Sequence, residues 1–408
     1  MLLPFATLLL SIAVLPLNAP RVWEKLHPWV AGVLGALTAA IYATRTGGAS
    51  RLLETGHEYA SFMSLIASLY VVCGGIHISV KGEATPRDNC LLLLIGALLA
   101  NIVGTTGASM LLIRPWIRMN KYRITDFHVV FFIFIVSNIG GLLTPVGDPP
   151  LFLGYLKGVP FWWMAQNCWP IWCTTVTALL LIFYAWDRKN FLRAPAIVRE
   201  KQTSSETWKI RGWRNVALLG LIQTGLLLPP GWREAGFGAA AFAAWWWTPR
   251  PIHEANDFEM SPLREVAWLF AGIFATMLPA LDLLQANAGS LGLSHPHHFY
   301  WATGVLSSVL DNAPTYLAFL SAASGLSDLD LRTDALRFAM EQTQTLAAIS
   351  TGAVFFGAVT YLGNGPNLMV NHIARQQKVN SPSFTAYILR FSLPVLLPLL
   401  ALVGLLFF

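Results

Sequence analysis

The sequence is poor in charge. Of its 408 residues only 12% are charged, whereas 55% are hydrophobic and the mean hydropathy is +0.54. A soluble domain carries about twice that charged fraction. No segment is long and polar enough to form a separate soluble domain, and apolar runs of span length recur from end to end. The composition therefore predicts an all-α polytopic membrane protein, multi-pass in a lipid bilayer, with roughly ten to twelve crossings.

Cysteine is scarce, and the motifs of common enzymes are lacking. The four cysteines lie in or beside apolar runs without metal-ligand spacing, which indicates small packing residues. We find no nucleophile–base arrangement, phosphate-binding loop or metalloprotease motif, so we expect neither an enzyme nor a cofactor. The formal charge of +6 arises in short loops, where basic residues set membrane topology. No nucleic-acid partner is therefore expected.

Helix breakers and a carboxylate interrupt one apolar segment of the first half. The stretch from Ser137 to Pro150 reads S-N-I-G-G-L-L-T-P-V-G-D-P-P and lies between two apolar runs. Membrane interiors tolerate loose backbone or a charge only where protein or water surrounds it. The stretch predicts a broken helix that lines a transport site. A Pro/Gly kink between two shorter spans is the alternative.

Similar interruptions recur in the second half at nearly equal spacings, which indicates an internal duplication. Ala100 to Thr105 pairs with Asp311 to Thr315, which matches Asn101 with Asn312, and Gly147 to Leu151 pairs with Asn364 to Leu368. A topology that places most of the 27 Lys and Arg residues in cytoplasmic loops makes the two copies run in opposite directions. Inverted repeats with paired breaks place a substrate site near the bilayer midplane.

The predicted organisation follows from these breaks and from one long basic stretch. It comprises scaffold spans over 1–58; a first inverted repeat over 59–186, with a re-entrant hairpin near 89–113 and a broken helix near 126–155; a basic cytoplasmic linker over 187–214; scaffold spans over 215–262; and a second repeat over 263–408, with a hairpin near 298–323, a broken helix near 335–373 and a last span.

Two embedded carboxylates are the strongest candidate binding groups. An uncompensated Asp at mid-membrane is penalised by roughly 2.5–3.5 kcal/mol, so a functional role explains Asp148 and Asp311 better than chance does. Burial disfavours the charged form of a carboxylate, so either group could exchange a proton for sodium. Thr105, Thr106 and Thr315 could serve only as helix caps, or could coordinate a cation through oxygen.

The sign of the substrate is the main open question. No Lys or Arg falls inside a predicted broken core, so a cation fits the embedded charges directly. A carboxylate substrate would depend on helix dipoles, amides and co-bound sodium ions. Four further titratable residues lie near predicted span ends, where interface solvation explains them more simply than a functional role: Asp282, Glu341, His77 and His372.

The motifs resemble those of the ion transporter superfamily. The stretch from Ser137 to Pro149 resembles the broken-helix motif of NhaD-type sodium/proton antiporters, and Asp311 to Thr315 resembles the superfamily's hairpin tip. Asn364 to Asn367 resembles its second broken-helix motif. The superfamily also includes citrate-transporter-like permeases, dicarboxylate carriers and the membrane subunit of the arsenite pump.

This resemblance implies a scaffold and a transport domain in each protomer, a homodimer, elevator-like motion, and ion sites between hairpin tips and broken helices. It assigns those sites to Asn101, Thr105, Asp148, Asp311, Asn312, Asn364 and Asn367. Our complete set of candidate ion- or substrate-binding residues is Asn101, Thr105, Thr106, Asn138, Thr144, Asp148, Asp311, Asn312, Thr315, Asn364 and Asn367, with Asp148 and Asp311 as sodium ligands.

The expected function is secondary active transport that exchanges sodium for protons across a bacterial inner membrane by alternating access. The first alternative is a sodium-coupled carrier of citrate or another carboxylate. An arsenite-type anion permease subunit is a further alternative, which would need an ATPase partner because the sequence has no ATP-binding motif. A non-transporting membrane scaffold is disfavoured by the embedded carboxylates.

Overall fold

Helices form most of this computed structural model, which describes residues 2–79, 84–193 and 209–408. Within those residues the strands are limited to β1 (His77–Ser79) and β2 (Lys209–Arg211), which pair antiparallel. The described segments that are long and apolar enough to cross a membrane number six: Arg21–Ala43, Pro86–Met119, Asp126–Leu143, Trp163–Arg193, Ser261–Ala286 and Phe384–Phe407. The prediction of an all-α polytopic membrane protein is confirmed.

The helices follow one another in the order α1 (Leu2–Asn18), α2 (Pro20–Ala43), α3 (Gly48–Gly74), α4 (Pro86–Met119), α5 (Asp126–Ile135), α6 (Pro149–Leu156), α7 (Trp163–Arg193), α8 (Trp213–Gly225), α9 (Trp232–Trp247), α10 (Arg250–Ala255), α11 (Ser261–Ala286), α12 (Pro296–Val309), α13 (Asn312–Leu326), α14 (Leu331–Glu341), α15 (Thr343–Phe356), α16 (Gly365–Gln376), α17 (Phe384–Tyr387) and α18 (Leu397–Phe407). Short 3₁₀ turns cover Ile139–Leu143 and Ala288–Leu291, and a π-helical stretch covers Ile388–Leu396.

Two helical hairpins turn back inside the protein. Hairpin 1 is α4, interrupted at Gly104, whose φ of 77° and ψ of 157° suit glycine because it has no Cβ. Hairpin 2 consists of α12 and α13 and turns at Leu310 and Asp311, where Leu310 is extended. The predicted hairpin ranges near 89–113 and near 298–323 lie inside these two elements.

Two helices are broken opposite the hairpin tips. Broken helix 1 consists of α5, the 3₁₀ turn Ile139–Leu143 and α6. Its backbone leaves helical geometry at Asn138, before the turn, and is extended at Thr144, after it. Broken helix 2 consists of α15 and α16, separated by residues 357–364. Proline follows each break at the start of the next helix, where its missing N–H costs no hydrogen bond.

The hairpins open towards opposite ends of the molecule. The feet of hairpin 1 meet where the Asn89 and Asn120 side chains donate to each other at 2.8 and 2.9 Å. This end also carries β1 and β2, and we call it the basic end. Hairpin 2 begins beyond α11, which starts beside the basic end and is 26 residues long. At 1.5 Å per residue such a helix rises about 39 Å. The feet of hairpin 2 therefore lie at the other end, which we call the opposite end.

A fully buried ion pair closes the basic end. The Asp187 carboxylate accepts hydrogen bonds from both terminal guanidinium nitrogens of Arg123, and both side chains are buried. The same carboxylate contacts His128 Nε2 at 3.1 Å and accepts from Asn89 Nδ2 at 2.8 Å. Asp187 therefore ties α7 to hairpin 1 and to the start of broken helix 1.

Three predicted boundaries differ from the structure. The boundary at residue 59 falls inside α3, which is one continuous helix. The basic linker does not begin at Asp187, because α7 continues to Arg193 and buries Asp187; residues 194–208 of that linker lie outside the described residues. Broken helix 2 begins at Thr343, because non-helical geometry at Gln342 separates α14 from α15.

The four titratable residues near predicted span ends each have a hydrogen-bond partner outside the paired breaks. None of them contacts the paired breaks through a hydrogen bond that the structure describes. Their partners are Tyr42 and Arg51 for Asp282, Arg337 for Glu341, Asn256 for His77, and Gln376 for His372.

Candidate functional site

The Asp148 carboxylate lies at the centre of the paired breaks. Its side chain is 0% exposed and receives hydrogen bonds from three separate elements. Thr105 Oγ1 of hairpin 1 donates to Oδ1 at 2.7 Å, and Asn364 Nδ2 of broken helix 2 donates to the same oxygen at 2.8 Å. Asn312 Nδ2 of hairpin 2 donates to Oδ2 at 2.5 Å. The structure thus brings together four of the predicted site residues.

Local backbone geometry presents Asp148 to these donors. It is the extended residue before α6, and its side chain makes no capping bond to that helix. The prolines that follow start α6 at once, so the carboxylate lies at the partially positive end of a short helix. Asn364 occupies the equivalent extended position before α16, 216 residues further along the chain. The two breaks therefore have similar backbones but carry a charge only in the first.

The tip of hairpin 1 is docked on the break of broken helix 1. Thr105 N donates to Gly147 O at 2.8 Å. A Cβ on Gly104 would lie 3.2 Å from Val146 O, so a side chain at the tip would crowd this contact as well as strain the backbone. Glycine at the tip therefore lets the first residue of the second arm reach Asp148.

A matching pair of hydrogen bonds relates the two halves. Thr144 Oγ1 of broken helix 1 donates to Asn101 O at 2.6 Å, and Thr360 Oγ1 of broken helix 2 donates to Ser308 O at 2.7 Å. Each acceptor lies near the end of the first arm of a hairpin, where helical carbonyls lose their partners. Both threonines therefore hold a hairpin tip against a break.

This match corrects the pairing of Asn101 with Asn312. The residue equivalent to Asn312 is Thr105, since each opens the second arm of its hairpin and donates to Asp148. The Asn101 amide instead donates to Ala97 O and Gly140 O at 2.9 and 2.7 Å, while its oxygen accepts from Leu143 N. Asn101 shapes the 3₁₀ turn of broken helix 1 and makes no bond to Asp148.

Replacing Thr144 by valine should loosen the tip of hairpin 1 without removing a group from Asp148. The loss of one buried hydrogen bond should lower the free energy of unfolding by about 1 kcal/mol. Thr360→Val should loosen hairpin 2 and destabilise the protein further, because Thr360 Oγ1 also accepts from Leu362 N at 3.0 Å. Thermal unfolding in detergent measures both, and Thr44→Val, at an exposed helix end, is the control. Equal unfolding temperatures for all three variants would contradict a holding role.

The two broken helices are joined directly by asparagines. Asn138 Nδ2 donates to Asn367 Oδ1 at 2.7 Å, and Asn367 Nδ2 in turn donates to the carbonyls of Gly357 and Thr360. Asn138 Oδ1 is buried and has no hydrogen-bond partner in the described structure. These two predicted site residues connect the breaks to each other and make no described hydrogen bond to Asp148.

Asp311, Thr315 and Thr106 have weaker connections to the site. The half-buried Asp311 accepts from Ala313 N at 3.0 Å and so caps α13. Thr315 Oγ1 donates to Asp311 O at 2.9 Å, a bond within the first turn of α13. The half-buried Thr106 faces a cavity. Of the two predicted sodium ligands, only Asp148 has a carboxylate that hydrogen-bonds to other predicted site residues in the described structure.

A narrow cavity of about 40 Å³ adjoins Asp148. Its lining includes Thr105, Thr106 and Asp148, together with a mostly apolar set of residues on α3. The cavity has room for a few water molecules or one small cation, which is too little for a tricarboxylate. None of its lining residues is Lys or Arg.

The sequence did not reveal two contributions to this region. The apolar wall on α3 reads as an ordinary span, because nothing in its composition marks the face that meets the cavity. Gln223, near the end of α8, donates to Ile102 O just before the tip of hairpin 1. An amide that follows a run of apolar residues is a detectable signal, and this one satisfies a carbonyl near the hairpin break.

Two hairpins whose tips meet two broken helices around a buried carboxylate, within a bundle of membrane-spanning helices, define a membrane transporter. A family described as "Putative citrate transport" matches residues 1–408. The chain belongs to this family of transporters. A comparison with curated proteins finds no match.

Proposed function

We propose that this transporter exchanges sodium for protons by binding them alternately at Asp148. The observation that supports this proposal is that a completely buried carboxylate has no cationic partner among the described residues. Its three donors are a hydroxyl and two amides, so none of them balances its charge. A buried charge without a counter-charge is costly. A proton or a small cation removes that cost, and the two compete for the same oxygens.

The groups around Asp148 suit a hard cation. Such ions take oxygen ligands from carboxylates, carbonyls, hydroxyls and amides. Thr105 offers a hydroxyl oxygen. Asn312 Oδ1 is buried without a partner in the described structure, and a half-turn of that amide would present it to an ion at Asp148. Among the described residues no three His, Cys, Asp or Glu side chains cluster as a metal site, so Asp148 would be the charged ligand.

Cation-coupled citrate transport is the second candidate, and the description of the family favours it. Citrate would need the cavity beside Asp148 to widen, because its present volume is about 40 Å³. The negative charges of citrate would also repel Asp148 unless a proton or sodium ion were bound first. Asp148 is therefore the coupling-ion residue under both candidates.

Purified protein in liposomes that hold a pH-sensitive dye distinguishes the two candidates. With an acidic interior, external sodium should drive proton efflux, whereas choline chloride at equal ionic strength should not. Lowering the external pH should weaken the apparent sodium affinity by roughly tenfold per unit once most sites are protonated. Uptake of labelled citrate without any sodium-dependent proton flux would replace the first candidate with the second.

We also propose a bacterial inner membrane location and a homodimer. Placing the basic end in the cytoplasm accords with the excess of Lys and Arg in its loops. Cysteine labelling from each side of the membrane tests the orientation, and cross-linking in native membranes tests the dimer.

A further inference from the structure

Exposed basic side chains gather at the basic end, where β2 leads into α8. Both basic residues of β2 are exposed, and so are an arginine in the first turn of α8 and the arginine that opens α10. None of these four cations has an ion pair or a side-chain hydrogen bond with a residue that the structure describes. Their charge is therefore available to a partner outside the chain. We call them the basic patch: Lys209, Arg211, Arg214 and Arg250.

Hydrogen bonds hold the elements that carry the basic patch against the end of α3. The buried Asn215 donates through Nδ2 to Gly75 O and to Thr248 Oγ1, both at 2.9 Å. Asn215 follows Arg214, and Thr248 lies two residues before Arg250. In addition, β2 pairs with β1, which comes shortly after α3. The basic patch is therefore a fixed surface of the fold at the starts of α8 and α10.

Exposed tryptophans lie beside the basic patch. Trp213 is 66% exposed and precedes Arg214. Trp245, Trp246 and Trp247 are 53%, 74% and 52% exposed, and they form the last turn of α9, which packs on α8. Tryptophan is enriched where the hydrocarbon of a bilayer meets its headgroups. The rings therefore indicate that the basic patch lies at the level of the lipid headgroups.

We propose that the basic patch and Trp213 bind the headgroup of an anionic phospholipid. Basic side chains beside a membrane attract negatively charged lipids, and lysine and arginine donate hydrogen bonds to phosphate oxygens. The tryptophan rings favour a lipid over a soluble anion, because they suit its glycerol and acyl region. Among the described residues, Glu254, one turn after Arg250, is the closest acidic residue along the chain, so the patch keeps a net positive charge.

Thermal unfolding of the purified full-length chain in detergent tests this binding. Phosphatidylglycerol should raise the unfolding temperature several degrees more than an equal amount of phosphatidylcholine, because a lipid that binds only the folded protein stabilises it. A high concentration of choline chloride should reduce this difference by screening. Inorganic phosphate should not reproduce it. A fourfold variant should lose most of the difference: Lys209→Gln, Arg211→Gln, Arg214→Gln and Arg250→Gln.

A second fourfold variant is the matched control. It replaces four exposed cations elsewhere at the basic end, so it removes the same charge away from the exposed tryptophans. Phosphatidylglycerol should still stabilise it more than phosphatidylcholine, by about the wild-type difference. Its substitutions are Arg188→Gln, Lys189→Gln, Arg375→Gln and Lys378→Gln.

Three outcomes would overturn the proposal. They are a wild-type protein that phosphatidylglycerol stabilises no more than phosphatidylcholine, an equal loss of the difference in both fourfold variants, and equal stabilisation by inorganic phosphate. If the first fourfold variant fails to fold, Arg211→Gln combined with Arg214→Gln decides by the same comparison. None of these measurements involves sodium exchange at Asp148, so the lipid site and the proposed function stand or fail separately.

Discussion

Asp148→Asn should abolish sodium-dependent proton flux while the protein remains folded. Removing the charged partner of a buried ionic contact typically costs about 3 kcal/mol or more. That loss corresponds to at least about a hundredfold weaker sodium binding. An amide also cannot take up and release a proton near neutral pH, so the exchange step itself disappears. Flux in liposomes and radioactive sodium binding measure the two effects separately.

The fold should tolerate this change because its hydrogen bonds can be remade. The remaining carbonyl oxygen can still accept from Thr105 and Asn364, as Oδ1 does in the wild type. The new amide nitrogen would face the Asn312 amide, which can turn its unpartnered Oδ1 towards it. We therefore expect an unfolding temperature close to that of the wild type.

Asp311→Asn is the informative comparison. Asp311 is half-buried, and its carboxylate caps α13 at Ala313. Asparagine can still cap α13 through its side-chain oxygen, so Asp311→Asn should keep transport and sodium binding close to the wild-type level. Complete loss of binding in Asp311→Asn, with retention in Asp148→Asn, would move the cation site to hairpin 2 and refute the central role of Asp148.

Asp187→Ala should destabilise the protein more than any substitution at the hairpin tips or the breaks. It would leave the Arg123 guanidinium buried without its ion pair and would remove the partner of His128 and Asn89. Removing one partner of a buried ion pair costs about 3–5 kcal/mol. We expect a large fall in unfolding temperature and in the yield of folded protein from detergent extracts.

Arg337→Gln provides the control for this effect. Arg337 and Glu341 also form an ion pair, but their side chains are 61% and 49% exposed. Water and ions screen such a pair, so its loss should not change the unfolding temperature measurably. Equal behaviour of the Asp187 and Arg337 variants would show that the buried cluster at the basic end does not hold α7 to hairpin 1.

The breaks could be read from sequence because their chemistry is local. Glycine and proline around Asp148 cannot continue a helix, and a carboxylate among apolar residues needs compensation. The same reasoning placed Asn364 before the second break and Asn312 at the second hairpin tip. In each case the residue type at that position is unfavourable in an uninterrupted transmembrane helix.

The exact alignment of the hairpin tips could not be read in this way. Asn101 and Asn312 look equivalent because both are amides next to a break. The break of hairpin 1 actually falls at Gly104, and only the backbone angles there make Thr105 the partner of Asn312. Residue type alone does not report where a helix reverses.

Asp187 illustrates a second limit. The residues that follow it are basic and polar, so the local pattern indicates the start of a solvated linker. The helix continues because Arg123, 64 residues earlier, supplies a buried counter-charge. The sequence around either residue gives no indication of an ion pair between positions so far apart.

The donors of Asp148 have a further consequence for how occupancy and shape are related. The three donors are Thr105 of hairpin 1, Asn312 of hairpin 2 and Asn364 of broken helix 2. One carboxylate is therefore hydrogen-bonded to elements of both repeats. Thermodynamic reciprocity then applies: if docked tips favour one ligand by some factor, that ligand must favour docked tips by the same factor. A small molecule or lipid that pulls hairpin 2 away should therefore change ion affinity without touching the ion. Conversely, ion binding at Asp148 should change how firmly the hairpin tips dock there.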